Sequence, residues 1–458
     1  MAGIGFELEK ALKKDSLLSY IKVYGYSSVL SAGAWMISIV AIILVGYISI
    51  ASNKSFKETI EFQLIVTYAF MLSSFLLFSG FLQLPLTRFI ADRLYEKKQK
   101  EVLPAYFGSV LVTLVVGNLF LIPFVFYLLP EKSLYFKILV VEVFLIVSLV
   151  WLANVLASSL KRYKTVVFSF FITYSLIVFL SYMFEKSEAF LLFAFFVGNF
   201  FLFSVLTFLI LKEFPSDRLV GFKIFNPRTF YWRLALAGVF YNLGVWIDKI
   251  IFWYHPLTGY YLVGRLRASI VYDLPIFLAY LAIIPAMAIF FYRLEVDFSK
   301  SFVRFYDAVS LGKPLFEIKK YKNMMNRNIR GIIREIMIIQ MIINIFIYFS
   351  AGYIFDILNI PKLYLDLFYI LLIGATLQLC FMTMMALLFY IDKRIETLYL
   401  SIIFFVLNAS LSYLSINLGP SYFGYGYAVS LLISFIIALL IVREKFARID
   451  YETFMLQK

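Results

Sequence analysis

An acid and a base stand side by side within an apolar stretch that reads Leu234-Ala-Leu-Ala-Gly-Val-Phe-Tyr241-Asn242-Leu-Gly244-Val-Trp246-Ile-Asp248-Lys249-Ile-Ile-Phe-Trp-Tyr-His255. Ionisable groups inside such a stretch are costly, so they usually face a partner or a water-filled path. Read as a helix, the spacing places Tyr241, Gly244, Asp248 and His255 on one face, with Asn242 next to Tyr241. A face of this kind could line a transport pathway, with Asp248 as a carboxylate that titrates or holds a cation. Lys249 is turned by about 100° from Asp248, and on that spacing the two do not pair. The competing reading is structural: Asp248 paired with Arg265 or Arg267, and Lys249 with Asp273.

The next apolar run adds Tyr272-Asp273-Leu-Pro275 and Ile284-Pro285. A proline inside a helix leaves the carbonyl four residues earlier without its donor and bends the helix. Pro275 and Pro285, with Gly244 in the preceding run, are therefore candidate hinge or gate positions. Asp273 and Lys249 would set the electrostatics at the outer edge of the path. Glu142, about eight residues into an earlier run, is a second carboxylate that could titrate. Asn118, Asn199, Gln378 and Asn408 are polar but neutral, and read as glue between helices.

These groups need elements to hold them, and composition says which. Of 458 residues, 63% are apolar and only 15% charged, and the mean hydropathy is +0.89. Soluble domains are nearer 45–50% apolar and 25% charged, so a water-soluble enzyme is excluded. The apolar residues come in runs of about twenty, long enough to cross a bilayer as helices, and the ten-residue alternation of a membrane barrel is missing. The fold class is an all-α polytopic membrane protein. Twelve spans are expected, near 24–50, 62–84, 104–129, 134–160, 165–184, 189–211, 234–254, 268–292, 332–355, 366–390, 397–416 and 425–442. One cysteine, Cys380, allows no internal disulfide, and one histidine, His255, offers no histidine-rich metal centre. No cofactor is expected.

With the N-terminus inside, most of the 42 lysines and arginines fall on the cytoplasmic side, as the positive-inside rule requires. The same rule accounts for the net charge of +14 without nucleic acid. The layout is then an N-terminal six-helix lobe over 1–211, a cytoplasmic linker over 212–233, a C-terminal six-helix lobe over 234–442 and a cytoplasmic tail over 443–458. The lobes echo each other, with Gly33-Ala-Trp35 in the first span and Gly244-Val-Trp246 in the seventh, a parallel-repeat arrangement. The loop 293–331 mixes basic residues with Phe302, Phe305, Tyr306 and Phe316, and reads as an interfacial amphipathic segment or a docking site. Its Arg304, Lys319, Lys320 and Lys322, with Arg88 and Arg93 after the second span, are candidates for contact with a partner or with lipid headgroups. No phosphate-binding loop, H-E-x-x-H or G-x-S-x-G occurs, and no loop can house a transferase domain. Catalysis is disfavoured and transport is the expectation.

Several blocks carry a resemblance. The chain opens Met-Ala-Gly3-Ile-Gly5-Phe6-Glu7-Leu8 and continues with Tyr24-Gly25-Tyr26 and Ser31-Ala-Gly33-Ala-Trp35. Pro85-Leu-Thr-Arg88-Phe-Ile-Ala91-Asp92-Arg93, Tyr241 to Lys249, and Tyr272 to Met287 follow. Together they resemble the PelG family of inner-membrane exopolysaccharide transporters over essentially the whole chain. Glu9 departs from the pattern, where a basic residue would be expected. The resemblance implies a polysaccharide-transporter branch of the flippase superfamily, with two six-helix lobes related by a pseudo-two-fold axis around a central cavity. It further implies a polymer rich in N-acetylgalactosamine and N-acetylglucosamine. The implied partners are a PelF-like cytoplasmic glycosyltransferase and PelD- and PelE-like membrane proteins, with cyclic diguanylate acting through the PelD-like partner. The implied setting is biofilm export across the bacterial inner membrane. The alternatives are an ion-coupled flippase of a lipid-linked saccharide and a membrane scaffold for the synthase.

Overall fold

A computed structural model describes residues 37–46, 56–75, 79–159, 163–183, 188–358 and 360–455. The Gly33-Ala-Trp35 half of the internal echo, Tyr24, Tyr26 and the opening Gly-Ile-Gly-Phe-Glu-Leu lie outside these residues. The described chain is almost wholly helical. Among the described residues nine helices are long and apolar enough to cross a membrane, or ten if one bent pair is a single span. The expectation of an all-α polytopic membrane protein holds.

Two compact units divide between Ser269 and Ile270. In the first, the helices are α1 (Ile37–Gly46), α2 (Phe56–Phe75), α3 (Ser79–Tyr95), α4 (Val102–Leu128), α5 (Leu134–Ser159), α6 (Tyr163–Met183), α7 (Glu188–Glu213) and α8 (Trp232–Tyr254). A short hairpin, β1 (Tyr260–Val263) and β2 (Leu266–Ala268), completes the unit. The described parts of the expected span 62–84 fall in α2 and α3. The Ser73 and Ser74 hydroxyls donate back to the carbonyls of Ala69 and Met71 in their own helix.

The sequence reading opens the second lobe with the seventh span, yet α8 packs with the first unit, against α3 and α2. Gly238 is the reason for the close fit. A Cβ there would meet the Gly80 carbonyl oxygen at 2.1 Å, so the α3 and α8 backbones touch where only glycine allows it. Gly238→Leu should cost about 1–3 kcal/mol or more, since a backbone carbonyl cannot rotate aside. The check is the melting temperature of the detergent-solubilised protein, with Gly238→Ala giving a smaller drop.

The 212–233 segment is no free linker. Gly221 donates its N–H to the Pro104 carbonyl at 2.9 Å, the Ser216 hydroxyl donates to the Lys100 carbonyl at 2.7 Å, and Lys223 meets Glu101 at 2.6 Å. Lys100 bonds Asp217 at 2.9 Å, and that ammonium holds the Asp217 carboxyl below its ordinary value.

The second unit holds α9 (Ile270–Ala282), α10 (Ile284–Tyr292), a π-helical turn over Arg293–Phe298, α11 (Ser299–Ser310), α12 (Leu315–Ile357), α13 (Leu365–Tyr390), α14 (Arg394–Asn417), α15 (Tyr425–Ala447) and α16 (Ile449–Met455). The expected loop 293–331 is helix for most of its length. The π turn carries the chain straight into α11, and α12 is continuous for 43 residues. Polar helix formers and repeated Lys/Arg do not stop a helix in water, so the span near 332–355 extends well beyond its apolar part. The described part of the tail, 443–455, is tied to the same unit, with Asp450 paired to Lys322 at 2.6 Å and Glu452 to Lys393.

Candidate transport site

On α8 the two charges are fully enclosed, Asp248 at 0% exposure and Lys249 at 1%. They pair with each other, contrary to the helical-wheel expectation. The Lys249 ammonium lies 3.1 and 3.2 Å from the two Asp248 oxygens and donates to the Val245 carbonyl at 2.8 Å. Angular separation of Cα positions does not bind a side chain with four rotatable bonds. Its arm curls back over the preceding turn, as lysine stems do along apolar surfaces. The Trp246 ring lies 5.9 Å from the same ammonium, and Trp253 stacks on Tyr68 at 4.8 Å.

Arg265 and Arg267 do not serve as partners of Asp248. They sit in the hairpin, where Arg265 lies over the Tyr127 ring at 4.1 Å and Arg267 over Tyr261 at 4.2 Å. Arg267 also donates to the Tyr254 carbonyl. The hairpin turns at Gly264, whose φ of +54° suits glycine, and a Cβ there would strike the Leu128 carbonyl at 2.5 Å. Nothing in the apolar pattern announces these two strands.

His255 leaves the proposed face. α8 ends at Tyr254, and His255 caps it in an extended conformation, its Nδ1 accepting the Leu257 N–H at 3.3 Å. Tyr241 and Asn242 are half-buried and Gly244 buried on α8, and the Asn242 amide donates to the Gly238 carbonyl of its own helix. Glu142, half-buried on α5, has no hydrogen-bond or ion-pair partner among the described residues. In the same unit a small cavity of about 10 Å³ is lined by Ser38, Asn154, Tyr174 and Asn199 among apolar groups, room for about one water.

In the second unit Tyr272 is buried and Asp273 stands in the first turn of α9. Pro275 sits inside α9 without breaking it. Pro285 marks a real break: α9 and the α10–α11 run meet at Ile283 with a bend of 41°. Pro285 has no N–H for the Leu281 carbonyl. A polar chain from α12 and α13 meets this break. The Gln340 amide donates to the Ala282 carbonyl at 3.2 Å and to Asn344 Oδ1 at 2.8 Å, and Asn344 donates to the Thr376 hydroxyl at 3.0 Å. Sequence reasoning passed over Gln340, Asn344 and Thr376; the signal was the four-residue spacing of Gln340 and Asn344 within an apolar run. It also passed over Glu295, buried in the π turn, which accepts the Tyr390 hydroxyl at 2.8 Å.

The candidate contact residues divide. Arg88 pairs with Asp92 at 3.1 Å, and Arg93 with Glu96 at 2.9 Å and Glu101 at 3.5 Å. Lys322 is tied to Asp450 and to the Ala447 carbonyl. Arg304, Lys319 and Lys320 are exposed.

The fold, a bundle of apolar helices with one broken span, is shared with solved transporters of the MOP superfamily. The chain superposes on a MOP superfamily transporter from Pyrococcus furiosus, whose binding pocket is described as of reverse polarity, with a TM-score of 0.66 at 12% identity over 93% of this chain and 96% of that one. An outward-facing multidrug resistance MATE family transporter gives 0.64 at 13% identity over 93% and 96%. A MATE protein in its bent conformation gives 0.63 at 13% identity over 98% and 99%. No curated protein matches significantly. Residues 1–454 match the family PelG, described as "Putative exopolysaccharide Exporter (EPS-E)", and the chain belongs to that family of exporters.

Proposed function

We propose that this protein passes a nascent Pel-type polymer, rich in N-acetylgalactosamine and N-acetylglucosamine, across the bacterial inner membrane. The polymer is handed on by a PelF-like cytoplasmic glycosyltransferase. PelD- and PelE-like membrane proteins complete the assembly, and cyclic diguanylate acts through the former. Both termini lie in the cytoplasm, on the side of the lysine- and arginine-rich segments. The observation that carries this reading is the family match over 1–454, and the charge bias supports the orientation. Asp248 and Lys249 contribute to the path as a neutral pair, whereas Glu142 is the carboxylate free to titrate.

That carboxylate, without a partner among the described residues, favours a second reading, an ion-coupled flippase of a lipid-linked saccharide. One experiment separates the two. Sugar material from cells lacking the gene is partitioned between organic and aqueous phases. Loss of surface polymer with no saccharide in the organic phase is the expected result. Saccharide accumulating in the organic phase would overturn it in favour of the flippase. Glu142→Gln should reduce secreted polymer severalfold at unchanged protein level; undiminished secretion would make Glu142 a structural residue.

A further inference from the structure

The basic end of α12 cannot lie on a membrane surface. From Leu315 to Glu335 the helix rises through about 20 residue steps, about 30 Å at about 1.5 Å each, before its apolar stretch begins. The headgroup layer is only about 5–8 Å deep on each side. Even at a tilt of about 40° the tip clears it by more than 10 Å. Yet the tip is apolar: Leu311 is 72% exposed and Phe316 70%. From Phe316 a stripe continues along one face of α12 through Lys320, Met324, Arg327, Gly331 and Arg334, at three- and four-residue steps, lining an open cleft of about 1190 Å³. The two acids of this cleft, Asp297 and Glu335, are both occupied by Arg293, with Glu335 bound at 2.7 and 2.8 Å. Lys319, Lys320, Arg327 and Arg334 have no ion-pair partner among the described residues.

We propose that this stripe is a docking groove for an acidic amphipathic segment of a cytoplasmic protein. Apolar residues of that segment pack on Phe316 and Met324, and its carboxylates meet the unpaired Lys319, Lys320, Arg327 and Arg334. Unpaired cations beside an apolar strip match the helix-in-groove mode of recognition, with charge complementarity setting partner and register. The inference rests on the cytoplasmic placement of this end given under the proposed function.

The test places a photoreactive benzoylphenylalanine at Phe316 in living cells and maps adducts by mass spectrometry. One protein adduct is expected, on a peptide with an excess of Asp and Glu. Its yield should fall about tenfold or more in the Lys319→Glu, Lys320→Glu, Arg327→Glu variant, and return when the mapped carboxylates are changed to lysine. These side chains are exposed or line an open cleft, so the variant should elute as the parent does. Adducts to phospholipid or to the chain itself, or a protein adduct indifferent to charge reversal, would overturn the groove. A charge-sensitive adduct in a cell whose surface polymer survives loss of the gene would leave the groove standing and remove the export reading instead.

Discussion

Lys249→Met lowers the stability of the protein by about 3–5 kcal/mol, and adding Asp248→Asn to the same chain recovers most of it. The reason is the setting of the pair. Both groups are enclosed, and the ammonium sits 3.1 Å from the carboxylate. Removing one partner of a buried pair leaves a desolvated charge behind, whereas replacing both by neutral groups of similar size is close to neutral. The measurement is a double-mutant cycle on melting temperature in detergent, with Asp248→Asn alone as the fourth corner. A cycle with no coupling would show that the two charges act independently. Secretion by the double variant then separates transport from folding: near-normal export means the pair is architectural, and lost export at normal protein level means the path needs the charges.

Gln340→Leu uncouples the broken helix from α12 and costs about 1–3 kcal/mol, because the Ala282 carbonyl and the Asn344 oxygen lose their donor in an apolar interior. The larger consequence is conformational. The bend at Ile283 is written by Pro285, which withholds an N–H, and it is tied to α12 by the Gln340 amide. Pro285→Ala supplies the missing donor and should straighten the α9–α10 junction, whereas Gln340→Leu should broaden the range of bends. Spin labels at Leu274 and Val303, both exposed positions on either side of the break, read the difference as a shifted distance in the first variant and a wider distribution in the second. Distances unchanged in both would remove the hinge from any account of transport.

Much of the architecture was legible in residue order. The helices from Val102 to Tyr254 and from Leu365 to Ala447 begin and end within a few residues of the apolar runs that announce them, because crossing a bilayer is a matter of local length and hydropathy. The missing N–H of Pro275 and of Pro285 was legible for a similar reason, as a property of one residue, but which of the two breaks the helix was not. Motif residues spread along the chain sufficed for the family.

What failed were inferences about partners. The wheel placed Lys249 away from Asp248, and simple charge matching offered Arg265 and Arg267 in its place. A long flexible side chain ignores the wheel, and two arginines that pack over tyrosines in a hairpin are not available to a helix charge. His255 left its face because a helix ended one residue early, at a cap no hydropathy pattern encodes. Segment 293–331 read as a loop because polar composition was taken for absence of helix, whereas a helix continues in water as readily as in lipid. By itself, then, the sequence determined that the chain is a bundle of membrane helices, where most of them run, and the exporter family to which it belongs. Only the tertiary structure decided that α8 packs with the first unit, that Asp248 and Lys249 pair with each other, and that Gln340 is bonded to the break. Hydropathy is a sum over neighbours in the chain, whereas pairing depends on neighbours in space.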